Sequence, residues 1–513
     1  MRTEAVVIGD GALAAEDVIA VARHGAPVRL DPRATERVER SRALVEEHLG
    51  ADRPVYGLTT GFGALADVRI PAQDLDRLQR NLIRSHAAGS GELLEPEVVR
   101  GMMLLRARTL AAGFSGVRPV VVERILDLLN HGVLPAVPSR GSVGASGDLA
   151  QLAHVALTLM GEGRVLSADG TTTEAAPALR QAGLDPVELR AKEGLAMVNG
   201  TEGMLALGLL AHHDAEVLLR TADVAAAMSI EGALGTDGPF AEELMALRPH
   251  PGQAASAGNL RRLLDGSAII ESHRESAHAV QDPYSMRCAP QVHGATRDVH
   301  AFVGEVLGRE AGSVVDNPVV LPDGRVESTG NFHGEPLAHA LDALAAALTG
   351  LANISERRTY WLLGPGQDRG LPPFLSTEAG LGSGYMMVQY TQAALVAECK
   401  VLAHPAAVDS IPTSGTQEDH VSMGWLSGLK LRQVIGKVRT VLAIEAICGA
   451  QAIDLRAPME PASGTRAAVA ALRQAVPFLE HDREVAEDVR GAEGLVEEDA
   501  LAREAERAVG ELR

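Results

Sequence analysis

The chain has little with which to build a conventional reactive centre. Only three cysteines occur in its 513 residues, Cys288, Cys399 and Cys448. They are far apart, lack metal-ligand spacing and cannot all pair, so they read as reduced thiols rather than a disulfide framework. Aromatic residues make up 3% of the chain while 46% is hydrophobic, with Ala and Leu abundant. That balance favours long packed helices. Basic residues are outnumbered, 47 Lys and Arg against 67 Asp and Glu, for a net charge of −20. Such a surface disfavours non-specific binding to nucleic acid or anionic membrane and suits a soluble cytoplasmic enzyme. No uninterrupted apolar run reaches transmembrane length, because the most apolar stretches contain His, Asp or Glu. Met1-Arg2-Thr3-Glu4 carries an acid ahead of only a short apolar stretch, so no signal peptide is expected.

What is present begins with a glycine-rich segment near the start. Ala5-Val6-Val7-Ile8 reads as a strand, Gly9-Asp10-Gly11-Ala12-Leu13-Ala14 approximates Gly-x-Gly-x-x-Ala, a helix follows, and Asp31 ends a second short strand. This is close to a dinucleotide fingerprint. The strand–helix alternation stops there, however, and a dinucleotide-binding sheet needs further parallel strands. The expectation is a small N-terminal hairpin crossed by a helix. Helices are then expected at 34–50, 71–89, 95–113 and 117–131, with a Gly/Thr loop from Tyr56 to Gly63 and a short hairpin over Gly163–Thr173. From about residue 200 the chain is dominated by long Ala/Leu-rich helices, at 201–228, 295–311, 334–362, 383–402 and 424–453. Polar motifs sit in the loops between them, and the tail 464–513 is charged and helical. The fold expected is mostly α: a long-helix region, 200–513, after a smaller N-terminal region, 1–199, of loops, helices and short strands.

A second glycine-rich segment is Gly141-Ser142-Val143-Gly144-Ala145-Ser146-Gly147-Asp148-Leu149. Taken alone, it is a turn followed by a helix that Asp148 would cap. It is also a near miss for a serine-hydrolase elbow, with Asp148 where the second glycine belongs. A third chemistry is open to Ala145-Ser146-Gly147. Attack of the Gly147 nitrogen on the Ala145 carbonyl carbon closes a five-membered ring. Loss of two waters, one of them from the Ser146 side chain, leaves 4-methylidene-imidazol-5-one (MIO), an electrophile. The residue types suit this: a Cβ on the attacking residue would hinder the approach, Ala145 is small, and Ser146 supplies a hydroxyl to eliminate.

Other motifs occur in order around it. Tyr56-Gly57-Leu58-Thr59-Thr60-Gly61-Phe62-Gly63 and Ser85-His86-Ala87-Ala88-Gly89 precede it. Lys192-Glu193-Gly194-Leu195 through Asn199-Gly200-Thr201, then Gln281-Asp282-Pro283-Tyr284-Ser285-Met286-Arg287-Cys288, follow it. Last come Gly330-Asn331-Phe332-His333, Ile354-Ser355-Glu356-Arg357-Arg358 and Gln417-Glu418-Asp419-His420-Val421-Ser422-Met423. In this set and order the chain resembles the aromatic amino-acid ammonia-lyase family, from about residue 50 to 460. The resemblance implies a helical bundle assembled as a homotetramer, with active sites drawn from three subunits.

It also implies roles. Ala145, Ser146 and Gly147 would form the MIO, whose methylidene would take the substrate's α-amine or, in the rival scheme, its aromatic ring. Tyr56 would be the base that removes the β-proton. A phenol, with a reference pKa of about 10, needs neighbours that stabilise phenolate for that task. Tyr284 would join the catalytic set. Arg287 would clamp the substrate carboxylate through its two-pronged guanidinium. Asn199 and Gln281 would hydrogen-bond the MIO oxygen or the carboxylate, and Phe332 would pack beside the ring. Glu418 would face the substrate's imidazole or amine. A metal held by Glu418, Asp419 and His420 is set aside, since these residues are adjacent in sequence rather than on one helix face. No metal or diffusible cofactor is expected.

Substrate choice rests on Ser85-His86. Within the family this pair resembles the histidine-specific members, where His-Leu accompanies tyrosine and Phe-Leu phenylalanine. A polar ring is best recognised by groups that would be left unpaired by the wrong one, and His86 with Glu418 meets that need. The expected reaction is elimination of ammonia from L-histidine to trans-urocanate. The alternatives are a tyrosine- or phenylalanine-specific lyase, or an aminomutase using the same group. Thr59, Gln151, Glu202 and His293 depart from the family's usual residues, Thr59 nearest the proposed base.

Overall fold

The computed structural model describes residues 4–50, 55–167, 169–275, 280–364 and 369–513. Helices dominate, and many start where the sequence says they should. Pro32, Pro96, Pro119 and Pro251 each stand at the first helical position, where a missing N–H costs nothing. Asp31 caps Pro32–Leu49 by accepting from the Arg33 N–H at 2.9 Å. The long helices run Glu202–Gly232, Ala289–Ala311, Glu335–Leu363, Met386–Leu402 and Gly424–Asp454. Glu335–Leu363 is long and apolar enough to cross a membrane by length and composition, but 67% of its most apolar window is buried within the protein. The three cysteines carry no disulfide.

The chain forms two compact units. The first comprises Met1–Leu210, Gly304–Leu341 and Pro405–Leu429; the second comprises Ala211–Val303, Asp342–His404 and Lys430–Arg513. All the described strands belong to the first unit, in four small sheets. Ser90–Leu93 pairs with Pro138–Arg140, and Leu134–Pro135, Arg164–Leu166 and Thr172–Glu174 form an antiparallel trio that contains the expected hairpin. One expectation fails. Val6–Ile8 and Val28–Leu30 are not a hairpin but pair in parallel, Val6 opposite Val28. The intervening helix, Ala15–His24, carries the chain back to the starting end of the first strand, which forces parallel entry. The sheet still has only two strands, and Asp31 is occupied as a helix cap.

These elements deliver the motif residues of the first unit. Leu75–His86 ends on His86, Glu193–Val198 ends just before Asn199, and Leu149–Leu159 starts just after the Ala-Ser-Gly segment. Two fully buried ion pairs lie behind Asn199. Arg106 meets Glu202 at 2.7 Å, and Lys192 meets Asp316 at 2.9 Å. Breaking such a pair from one side leaves a buried charge uncompensated and costs about 3–5 kcal/mol.

Candidate functional site

The segment 143–148 is gripped from several directions at once. Met423 N–H donates to Val143 O at 2.9 Å, Ser422 Oγ donates to Gly144 O at 3.0 Å, and Asp148 N–H donates to Gly200 O at 2.7 Å. Ser142 Oγ accepts from Gly144 N–H and lies 3.3 Å from Gly147 O. Ala145 is buried against Ala406, Val421 and Met423. Gly147 has φ +74°, and any Cβ there would fall on the Gly200 carbonyl. Glycine is thus required twice, by conformation and by space. The sequence expectation that Asp148 caps its own helix needs correcting. Its carbonyl starts Leu149–Leu159, but its carboxyl accepts from Met204 N–H at 2.9 Å. That amide is one of the free donors at the start of Glu202–Gly232. Burial, with the charge of Glu202 adding to it, raises the Asp148 pKa to about 7.

Around the segment stand most of the expected first-unit residues. Ser146 Oγ–H donates to Glu418 Oε1 at 3.1 Å. Glu418 is fixed in turn, since Thr413 Oγ–H donates to its Oε2 at 2.6 Å and the two backbones pair as an isolated bridge. Glu418 is also close enough for its charge to act on His86, where it opposes a larger desolvation that lowers the His86 pKa below its ordinary value. His86 is therefore neutral near pH 7. Ser85 Oγ–H donates to Leu82 O at 3.0 Å, so at the 3.1 Å contact between Ser85 Oγ and His86 Nδ1 the imidazole is the donor. Nε2 is left as the acceptor.

Asn199 is 3% exposed. Its Nδ2–H donates to Asn317 O at 2.8 Å, while its Oδ1 is buried with no protein partner. Buried orphan acceptors are uncommon and point to a missing group. Tyr56 opens a loop that folds over this region: its Oη accepts from Gly63 N–H at 3.3 Å, and a Cβ on Gly63 would strike Ser414, beside Thr413. Thr59, the departure nearest to Tyr56, accepts from Val55 N–H at 2.9 Å through its hydroxyl and so braces the same loop. Phe332 is half-buried in the turn just before Glu335–Leu363.

Gln281, Tyr284 and Arg287 belong to the second unit. Gln281 and Tyr284 are exposed, Tyr284 at 72%. The Arg287 guanidinium lies 4.6 Å over the Tyr284 ring, a cation–π pair, and donates to Asp282 O at 3.0 Å. His293 is likewise in the second unit, buried with its Nδ1 2.7 Å from Asp223 Oδ1.

Several contributors escaped the sequence reading. Arg106 donates to Glu202 and to the carbonyls of Ala196, Asn199 and Val315, fixing the backbone on both sides of Asn199. Lys192 holds Asp316, Asp316 accepts from Asn317 N–H, and the Asn317 carbonyl holds Asn199. Glu202, read as a departure, is thus the partner of Arg106. The signal available was the pair of charges, Arg106 and Arg108, inside the otherwise largely apolar run Met102–Ala112.

The aromatic amino acid lyase family model matches residues 13–474. The histidine ammonia-lyase of Streptomyces coelicolor is 50% identical over 509 residues, 99% of each chain. That of Anaeromyxobacter dehalogenans is 53% identical over 97% of this chain and 99% of its own. Among solved structures, histidine ammonia-lyase from Trypanosoma cruzi superposes with a TM-score of 0.91 at 40% identity, covering 99% of this chain and 96% of its own. Tyrosine aminomutase from Streptomyces globisporus superposes with a TM-score of 0.94 at 36% identity, covering 99% and 100%. Matched in sequence and fold along nearly all its length, this chain belongs to the aromatic amino acid lyase family and is an ammonia lyase.

Proposed function

We propose that this protein eliminates ammonia from L-histidine to give trans-urocanate. The observation that carries this is Glu418, which accepts from Ser146 of the reactive tripeptide and is held there by Thr413, with the Ser85-His86 pair ending the helix Leu75–His86. Glu418 and His86 Nε2 offer an imidazole N–H two acceptors. An aromatic hydrocarbon ring would leave both unpaired, a strong selection against it.

The residues at 145–147 fit an MIO. Gly147 has no room for a Cβ, Ala145 is packed, and the buried Asn199 Oδ1 lacks a partner. The ring would supply an electrophilic methylidene carbon that no ordinary side chain offers. This chain's own groups do the rest. Tyr56 takes the β-proton, Glu418 and His86 orient the substrate's ring, and Phe332 packs against it. Arg287 holds the carboxylate, with Gln281 and Tyr284 beside it. The family resemblance implies a homotetramer whose subunits complete one another's sites, and Gln281 and Tyr284 are exposed in the single chain. A cytoplasmic location suits this role.

The test is incubation with L-histidine, L-tyrosine and L-phenylalanine, following products by absorbance and chromatography. Urocanate from histidine alone is the expected result. Coumarate or cinnamate without urocanate overturns the substrate assignment, and a β-amino acid as main product makes the enzyme an aminomutase.

A further inference from the structure

His333, Glu335 and His420 come from two separate segments of the first unit, and their ligand atoms all lie within 4.8 Å of one another. The hydrogen bonds around them leave a deficit of donors. His333 Nε2 faces the His420 carbonyl at 3.2 Å, which only an N–H can satisfy. Nδ1 is an acceptor, since the Glu335 N–H donates to it in a long contact of 3.4 Å. Facing Nδ1 at 3.9 Å is Glu335 Oε2, buried and without a hydrogen-bond partner. Glu335 Oε1 is already engaged by His339 Nε2 at 3.0 Å. Two acceptors thus confront each other, with the exposed His420 ring stacked beside His333 at a centroid distance of 5.6 Å.

We propose that this cluster is a divalent-cation site of the zinc type, with His333 Nδ1, Glu335 Oε2 and a His420 ring nitrogen as ligands and water in the open position. Zinc bonds nitrogen at about 2.0–2.1 Å and carboxylate oxygen at about 2.0–2.2 Å, so two ligands on one tetrahedral ion stand about 3.3–3.5 Å apart. The 3.9 Å between His333 Nδ1 and Glu335 Oε2 is slightly wider than that, so the ion must draw the two side chains together. A ligating histidine usually donates its other N–H to a carbonyl or carboxylate, which is the arrangement of His333. Imidazole and carboxylate together suit zinc, cobalt or manganese rather than magnesium or calcium. The ion takes no part in the elimination. It clips the turn bearing Phe332 to the loop bearing Glu418, and so stiffens two walls of the candidate site. The adjacency that set aside a site at 418–420 does not apply, because two of the three ligands arrive from the other segment.

The test is titration of chelator-treated full-length protein with cobalt(II) alone, followed by its visible absorption and by calorimetry. Wild type is expected to bind one equivalent per chain with the spectrum of a four- or five-coordinate nitrogen–oxygen site, and zinc is expected to displace it. Glu335→Gln and His420→Ala should each weaken that binding at least about tenfold. His420 is exposed, so its replacement tests the site even if the half-buried Glu335 variant folds poorly. No such equivalent in wild type, or equal binding by His420→Ala, overturns the proposal.

Discussion

Two glycine-rich segments of the first unit look alike in sequence and differ in space. Gly9–Asp31 approximates a dinucleotide fingerprint, yet a Cβ on Gly11 would meet nothing within 4 Å. One on Gly9 would meet only the Asp31 side chain, at 3.7 Å, an ordinary contact. At Gly141–Asp148 the backbone is hemmed in by other backbone, and Gly147 could not carry a side chain. A glycine signals chemistry when its missing Cβ is the reason two main chains can meet. Where the space is open, glycine is only a turn former.

The contrast can be broken or sharpened by substitution. Ser146→Ala removes the hydroxyl that must be eliminated and should lower kcat by about a thousandfold or more while the fold persists. Near-wild-type turnover would dissolve the special status of the segment. Gly147→Ala should cost comparable activity and also destabilise by about 1–2 kcal/mol or more, from the left-handed backbone and the collision with Gly200. A lower thermal midpoint would register it. Glu418→Gln keeps the shape but loses the charge facing the imidazole, so kcat/KM for histidine should fall about ten- to a hundredfold. A loss as large for tyrosine or phenylalanine would show that Glu418 does not select the ring.

Asp148 gives a pH test. Its pKa is raised in the folded state to about 7 from the model-peptide value of 3.8. Its contribution to stability is therefore complete below about pH 4 and is lost as pH rises through 7. Asp148→Asn should remove this slope, so thermal midpoints of wild type and variant should converge or cross between pH 4 and 8. A parallel pair of curves would contradict it. The smallest effect belongs to the other segment. Gly9→Ala and Gly11→Ala should leave activity unchanged and stability within about 0.5 kcal/mol.

Much of this was readable in the sequence because the information was local. Helix starts follow proline and capping residues, and local motifs single out Tyr56, His86, Asn199, Ser146 and Glu418 as candidates. What stayed hidden depends on partners distant along the chain. Asp148 is as good an N-cap for its own helix as for another, and only packing aims it at Met204. The two strands of the first thirty residues give no local sign of running parallel. Arg106 and Lys192 show no partner in their own segments, because Glu202 and Asp316 close on them from 96 and 124 residues away.

The central claim is that Ala145-Ser146-Gly147 is chemically altered where the Gly9 segment is not. Intact and peptide mass spectrometry of the purified protein tests it directly. The account predicts a mass lower than that of the encoded chain by two waters, localised to the peptide spanning residues 141–149 and abolished by Ser146→Ala. An unmodified peptide from active wild-type enzyme would contradict it.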